Sequence, residues 1–454
     1  MKYQDSVNSL LRFKPIIISI KKVLMKKSIV STRLDLTILY ICTIFLISLP
    51  AILYLKLYLL KNLHYINEYG DFNFEQLSFG YGNLLKNLFY ENSYRTNIEP
   101  FDIDFYLSRL PAYPLFLLTI LKINLNFYFV YFVKNICSFT IVFFTIFSFI
   151  KYINKNNFHF LILLVLFYYN PYNFHVLFTL DFEDTFVSVF FPLIIFLVIQ
   201  GKKKVYIISI FIFILYLLKT SLQFFCILFS FLYLFYVYFF NKENFNKLTF
   251  LPIYSIFFAV LIWGFFGLKK ANYFPIGSSL NSTNSYYLTS ILNDKFNSTY
   301  PDYSVDLLLD GNIDNGSAFS NEKEFYEYYN NINKIYIKQN NSAYLKGIII
   351  KINFILFGLN YDGLHSDNKL NEIRLSNIPN KLVLLSGLVI SLYLFFKNIF
   401  LKKKLLKLEF FYLSMFFFYI APHLIAWTTS KHLVPIFLLS NMYLFIKCLK
   451  INEK

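Results

Sequence analysis

The chain has 454 residues, is 57% hydrophobic and 22% aromatic, and carries a formal net charge of +17. So much apolar mass exceeds what one soluble core buries, which excludes a single water-soluble domain and points to a polytopic membrane protein. The charge does not indicate nucleic acid: the basic residues stand in short groups flanking hydrophobic runs, the pattern that orients membrane helices.

In chain order, residues 1 to 36 form a basic segment with Lys2, Arg12, Lys14, Lys21, Lys22, Lys26, Lys27 and Arg33, expected on the cytoplasmic side. Apolar windows near 37–60, 127–150, 181–200, 221–240, 248–267, 382–400, 409–428 and 432–449 approach or reach the about 20 residues that a crossing helix needs. Shorter candidates lie at 111–122, 158–171 and 205–219. The first window follows a long basic leader and lacks a small-residue cleavage site, so it reads as a retained span. With Lys202 to Lys204, Lys402 to Lys404 and the terminal Lys447, Lys450 and Lys454 placed inside, residues 61–110 become an outer loop within a transmembrane core of 37–267. Residues 268–380 form a hydrophilic outer region, and 381–454 hold the last helices and a short cytoplasmic tail. The outer assignment agrees with Asp302, Asp306, Asp310, Asp314, Glu322 and Glu324 standing among few cations. Within that region "YLKGIIIKINFILFG", 344–358, is too short and too charged to span securely and reads as interfacial or half-inserted. The expected fold class is an all-α polytopic membrane protein.

Cys42, Cys137, Cys226 and Cys448 fall inside apolar runs without metal-ligand spacing and read as small buried hydrophobes. The sequence has no Gly-rich phosphate loop, HExxH, CxxC or GxSxG. Asn-X-Ser/Thr triplets at Asn281, Asn297, Asn315 and Asn340 are expected by chance in so asparagine-rich a chain.

Ionised side chains at membrane depth are costly, so each is a functional candidate unless it reaches the interface. In the first outer loop, Glu68, Asp71 and Glu75 enter an apolar-polar pattern over 67–88 that suits an amphipathic helix along the membrane. Each could act as a general base or metal ligand, or be a solvated loop carboxylate. Asp71, after Gly70, also suits a helix cap. "YLSRLPAYPLFLLTIL", 106–121, opens an apolar run with Arg109, Pro111, Tyr113 and Pro114. Arg109 either snorkels to the interface or grips a phosphate with its planar fork. The prolines fix the direction of a starting helix where amide donors would lack partners anyway. Asp181, Glu183 and Asp184 crowd the edge of a span, more acid than a cap requires. Lys219, Lys431 and His432 lie between apolar stretches on the same expected side, against the positive-inside trend, which favours an anion site.

The order of these clusters resembles the GT-C superfamily of membrane glycosyltransferases, in particular the bacterial branch related to protein O-mannosyltransferases and lipid A aminoarabinose transferases. The segment Arg109-Leu-Pro-Ala-Tyr-Pro-Leu-Phe-Leu is close to that family's R-x-P-x-Y-P-L-F-L. Glu183-Asp-Thr-Phe186 is similar to its E-x-L-F with Thr185 in place of Leu, Lys219-Thr-Ser stands where Arg-Pro-Thr is commoner, and Lys431-His-Leu-Val-Pro435 where Arg-Tyr is commoner. The first-loop acid corresponds to Asp71 or Glu75. The resemblance covers residues 37 to 450 and implies a bundle of about 10 to 12 transmembrane helices with an outer-face cavity. It implies a sugar donor on a polyprenyl phosphate, a glycan, lipid or protein acceptor, and a place in the cytoplasmic (inner) membrane with the site on its outer, periplasmic face. The first-loop acid would then be the general base, with Arg109, Lys219 and Lys431 stabilising the departing phosphate. Glu183 or Asp184 would position substrate or share a divalent cation with Asp71, the one cofactor left open. Direct displacement would invert the anomeric centre.

Two rivals remain at this stage. A polymerase of lipid-linked repeats would be expected to rest on outer-loop arginines, and residues 268–380 offer only Arg374. A flippase or transporter would be expected to show two matching halves, and no such repeat is visible.

Overall fold

A computed structural model of the chain describes residues 63–77, 81–98, 101–149, 170–178, 183–200, 204–240, 246–275, 277, 319–339, 341–358, 377–401, 407–425 and 431–448, with a few positions between 48 and 59. Most of these residues are helical.

The described part of the first loop opens on a compact turn rather than a helix. Gly70, at φ +83°, lets the chain reverse there, and the Asn67 side chain accepts from the amides of Tyr69 and Asp71. Ile66 then bridges Phe72, and a 3-10 turn follows at Phe74–Gln76. Only then does α1 (Tyr81–Tyr90) begin, burying Tyr81, Leu84, Leu85 and Leu88 on one side. Gly82 is needed where it stands, because a Cβ there would lie 2.0 Å from the Phe74 carbonyl oxygen. The single amphipathic helix expected over 67–88 is therefore corrected, and Asp71 sits in the bridged turn instead of capping a helix. Strands β1 (Thr96–Ile98) and β2 (Phe101–Phe105) pair antiparallel and lead into the Arg109 segment.

The helices that follow are α2 (Ala112–Ile123), α3 (Phe127–Phe149), α4 (Pro171–Phe178), α5 (Asp184–Gln200), α6 (Val205–Leu218) and α7 (Thr220–Phe240). Next come α8 (Leu251–Ala271), α9 (Glu322–Gln339), α10 (Asn341–Phe357), α11 (Ile378–Phe400), α12 (Lys407–Ile425) and α13 (Val434–Cys448). Pro111 and Pro114 stand at the start of α2, where a missing amide costs nothing. Three described helices are long and apolar enough to cross a membrane: Thr220–Phe239, Lys247–Ala271 and Ile378–Phe400, with mean hydropathies of 1.9, 2.0 and 2.0. Several shorter helices are also apolar, among them Ala112–Ile123, Asp184–Ile194 and Val205–Leu218. The windows expected at 37–60 and 158–171 lie largely outside the described residues.

Helix α5 is the axis of the packing. It touches α3, α4, α6, α12 and α13, and every residue from Asp184 to Pro192 is buried, as an all-round apolar helix must be. One continuous hydrophobic core runs from Tyr65 through this axis to Ile446. By contrast α8 packs mainly on α6 and α7 and turns Tyr254, Phe257, Phe258 and Phe265 outward, a face compatible with lipid. The segment read as interfacial, now α10, packs against α11 and α12 and buries Lys351, so at least one side of it belongs to the helical core.

Candidate functional site

Asp184 opens α5, where a carboxylate is favoured by the exposed amides and the dipole of the helix start. It is 2% exposed. Opposite it, the chain leaves helical geometry for one residue between α6 and α7: Lys219 is extended at φ −149°, ψ 134°. That break brings its ammonium to 2.5 Å from Asp184 Oδ1. The other carboxylate oxygen lies 3.6 Å from His432 Nε2. His432 is in the 3-10 turn Lys431–Leu433 that leads into α13, and its backbone carbonyl accepts from Tyr419 Oη at 2.5 Å. The His423 ring stands 5.4 Å from the His432 ring. Three segments far apart in sequence thus place an acid, an amine and an imidazole in one buried group.

Glu183 continues this group toward the first loop. Its Oε2 accepts from Tyr81 Oη at 2.7 Å, and the Arg109 guanidinium lies over the Tyr81 ring, 4.7 Å from its centroid. Tyr113 meets the same ring edge-on at 5.6 Å and is itself buried. Burial, reinforced by the Glu183 charge and opposed by Arg109, pushes the Tyr81 phenol well above its ordinary range, so Tyr81 stays a proton donor to Glu183. The Arg109 backbone carbonyl accepts from Tyr94 Oη at 2.8 Å, and Tyr94 packs edge-on against Trp263 and Phe266. Arg109, Tyr113, Glu183, Asp184, Lys219 and His432, all expected from sequence, therefore converge on one end of the helices. Tyr81, which links the two halves, had no signal of its own among 38 tyrosines.

Among the described residues, the first-loop acids make no hydrogen bond or ion pair with this group. The Asp71 carboxylate is half-buried and makes no hydrogen bond or ion pair among the described residues, while its backbone bridges Asn126. Glu75 is exposed and lies 3.5 Å from the equally solvated Lys86. Lys431 contributes its backbone to the 3-10 turn, and Asp181 lies outside the described residues. Among the described residues, no group of three or more His, Cys, Asp or Glu side chains is arranged to hold a metal ion.

Lys134 was not expected. Buried in α3, it donates to the Leu177 carbonyl at 2.9 Å and to Thr185 Oγ1 at 3.1 Å, and Thr185 in turn donates to the Val176 carbonyl at 3.0 Å. The ammonium closes the C-terminal end of α4 beside Asp184, with the Thr185 hydroxyl as its second acceptor. Two other buried lysines do the same elsewhere. Lys351 reaches the Leu424 carbonyl at 3.2 Å, and Lys381 the Phe354 and Ile355 carbonyls at 3.2 and 2.7 Å. Lys219, by contrast, is paired with the Asp184 carboxylate.

Alternating guanidinium, phenol, carboxylates, ammonium and imidazole suits a substrate that carries an anionic group next to hydroxyls. Comparison of the chain with protein-family models, with characterised proteins and with solved structures finds no match.

Proposed function

We propose that the protein is a membrane glycosyltransferase with a GT-C-like bundle, moving a sugar from a polyprenyl-phosphate donor to an envelope acceptor on the outer face of the cytoplasmic membrane. The observation that carries this reading is the convergence of Arg109, Glu183, Asp184, Lys219 and His432, from four separated segments, on one buried site. In this reading Arg109 and Lys219 balance negative charge as the lipid phosphate departs. Arg109 is held over the Tyr81 ring, and His432 supplies a further donor beside Asp184. Glu183 and Asp184 hold hydroxyls of donor or acceptor. A carboxylate must take the acceptor proton, and Asp71, half-buried and without a partner among the described residues, suits that role better than the surface-paired Glu75. A single displacement at the anomeric carbon inverts it: the acceptor oxygen bonds to C1, the C1–O–phosphate bond breaks, and the lipid phosphate leaves.

The test is transfer of labelled sugar by purified protein from a panel of polyprenyl-phosphate donors to mixed envelope lipids and glycans. Arg109→Ala and Asp71→Asn serve as controls. Transfer by the wild type, lost in both variants, supports the assignment and names the sugar. Wild-type turnover unchanged by Arg109→Ala removes that residue from the site.

A further inference from the structure

The segment that carries Arg109 is held by a residue far away in sequence. Glu322, the first residue of α9, is 2% exposed, and its carboxylate accepts from two consecutive backbone amides: Tyr106 at 2.8 Å and Leu107 at 3.0 and 3.2 Å. Neighbouring amides directed at one anion form a small cradle, and an ionised acceptor binds them more strongly than a carbonyl does. Residues 106–110 lie between β2 and α2 outside regular structure, so side chains set their path. Phe325, on the same helix, is fully buried and packs edge-on against Phe105 at 5.1 Å, which fixes the depth at which Glu322 meets the loop.

We propose that Glu322 is a positioning residue: by clamping the amides of Tyr106 and Leu107 it holds the Arg109 guanidinium over Tyr81, beside Glu183. Its effect on substrate rests on the reading of Arg109 as the phosphate-side cation. The clamp makes the start of α9 part of the framework that holds the Arg109 segment. Glu322 touches no reacting atom, and its influence passes through Ser108, the one residue that separates Leu107 from Arg109.

The experiment uses full-length protein in nanodiscs as wild type, Glu322→Gln, Glu322→Ala, Arg109→Ala and the Glu322→Ala/Arg109→Ala double variant. Hydrogen exchange over 106–110, modification of Arg109 by phenylglyoxal and binding of undecaprenyl phosphate are read together with the unfolding midpoint. Glu322→Ala is expected to speed exchange at Tyr106 and Leu107, to change the Arg109 modification rate and to weaken lipid-phosphate binding by about tenfold, less than the about 100-fold that a 1 Å misplacement can cost a reaction. Glu322→Gln, which keeps one acceptor oxygen, should fall between. Arg109→Ala and the double variant should bind equally weakly, because the two changes act on one contact. Unaltered Arg109 reactivity in Glu322→Ala, or losses that add in the double variant, overturns the proposal. A wild type that binds no lipid phosphate refutes the donor reading, while the exchange and phenylglyoxal arms still decide the role of Glu322. If Glu322→Ala does not fold, Glu322→Gln carries the same test.

Discussion

Replacing Lys219 by methionine removes the ammonium that faces Asp184, a carboxylate that is 2% exposed. Two unit charges 2.5 Å apart attract by about 7 kcal/mol at an effective dielectric constant of about 20. Desolvating the two ions costs several kcal/mol each, so the intact pair contributes little net stability. Breaking it is another matter: one buried partner left alone costs about 3–5 kcal/mol. His432, 3.6 Å from the other carboxylate oxygen, remains as a partial partner and should hold the loss near the lower figure. Asp184→Leu/Lys219→Met, which removes both charges and keeps the volume, should recover most of that stability while transferring no sugar. Unfolding in dodecyl sulfate titrations, followed by intrinsic fluorescence, measures the first effect, and labelled-sugar transfer the second. A double variant whose destabilisation equals the sum of the singles would show that the two side chains are not energetically coupled and would refute the reasoning. A double variant that turns over normally would remove the pair from the site.

Tyr81→Phe deletes one hydrogen bond to the Glu183 carboxylate, which should lower stability by about 1.5–3 kcal/mol and slow transfer by at least about tenfold. Normal turnover would mean that Glu183 needs no orienting partner. Asp71→Asn should abolish transfer without loss of stability, because its carboxylate has no partner among the described residues; a destabilised variant would instead assign Asp71 to the turn. Lys381→Met strands the Phe354 and Ile355 carbonyls and should lower stability by about 2 kcal/mol without altering donor affinity, as measured by unfolding and by lipid-phosphate binding.

Hydrophobic windows placed the helices because length and apolar content decide whether a segment can cross lipid: Lys247–Ala271 and Ile378–Phe400 lie where 248–267 and 382–400 were expected. The cations and acids of the site were legible for the same reason, since each interrupts an apolar run at a visible cost. Lys134 carried that signal too, inside "FYFVYFVKNICSFTIVFF", and could have been found by the same rule. Glu322 could not. It is one of several acids in a hydrophilic stretch, and only folding shows that the amides of Tyr106 and Leu107 meet it. The helix expected over 67–88 failed because periodicity does not register that Gly70 adopts positive φ or that Asn67 accepts from two amides at once.

The Lys134 contact also constrains biosynthesis. Its acceptors, Leu177 and Thr185, come 43 and 51 residues later in the chain. At about 5–20 residues per second, a ribosome delivers Thr185 some 3 to 10 seconds after Lys134. For that interval the acceptors at Leu177 and Thr185 do not yet exist, so this contact forms only after α4 and the start of α5 have left the ribosome. Chains truncated before residue 177 contain every residue of α3 but neither of these acceptors, and should be degraded faster than chains that extend past residue 185.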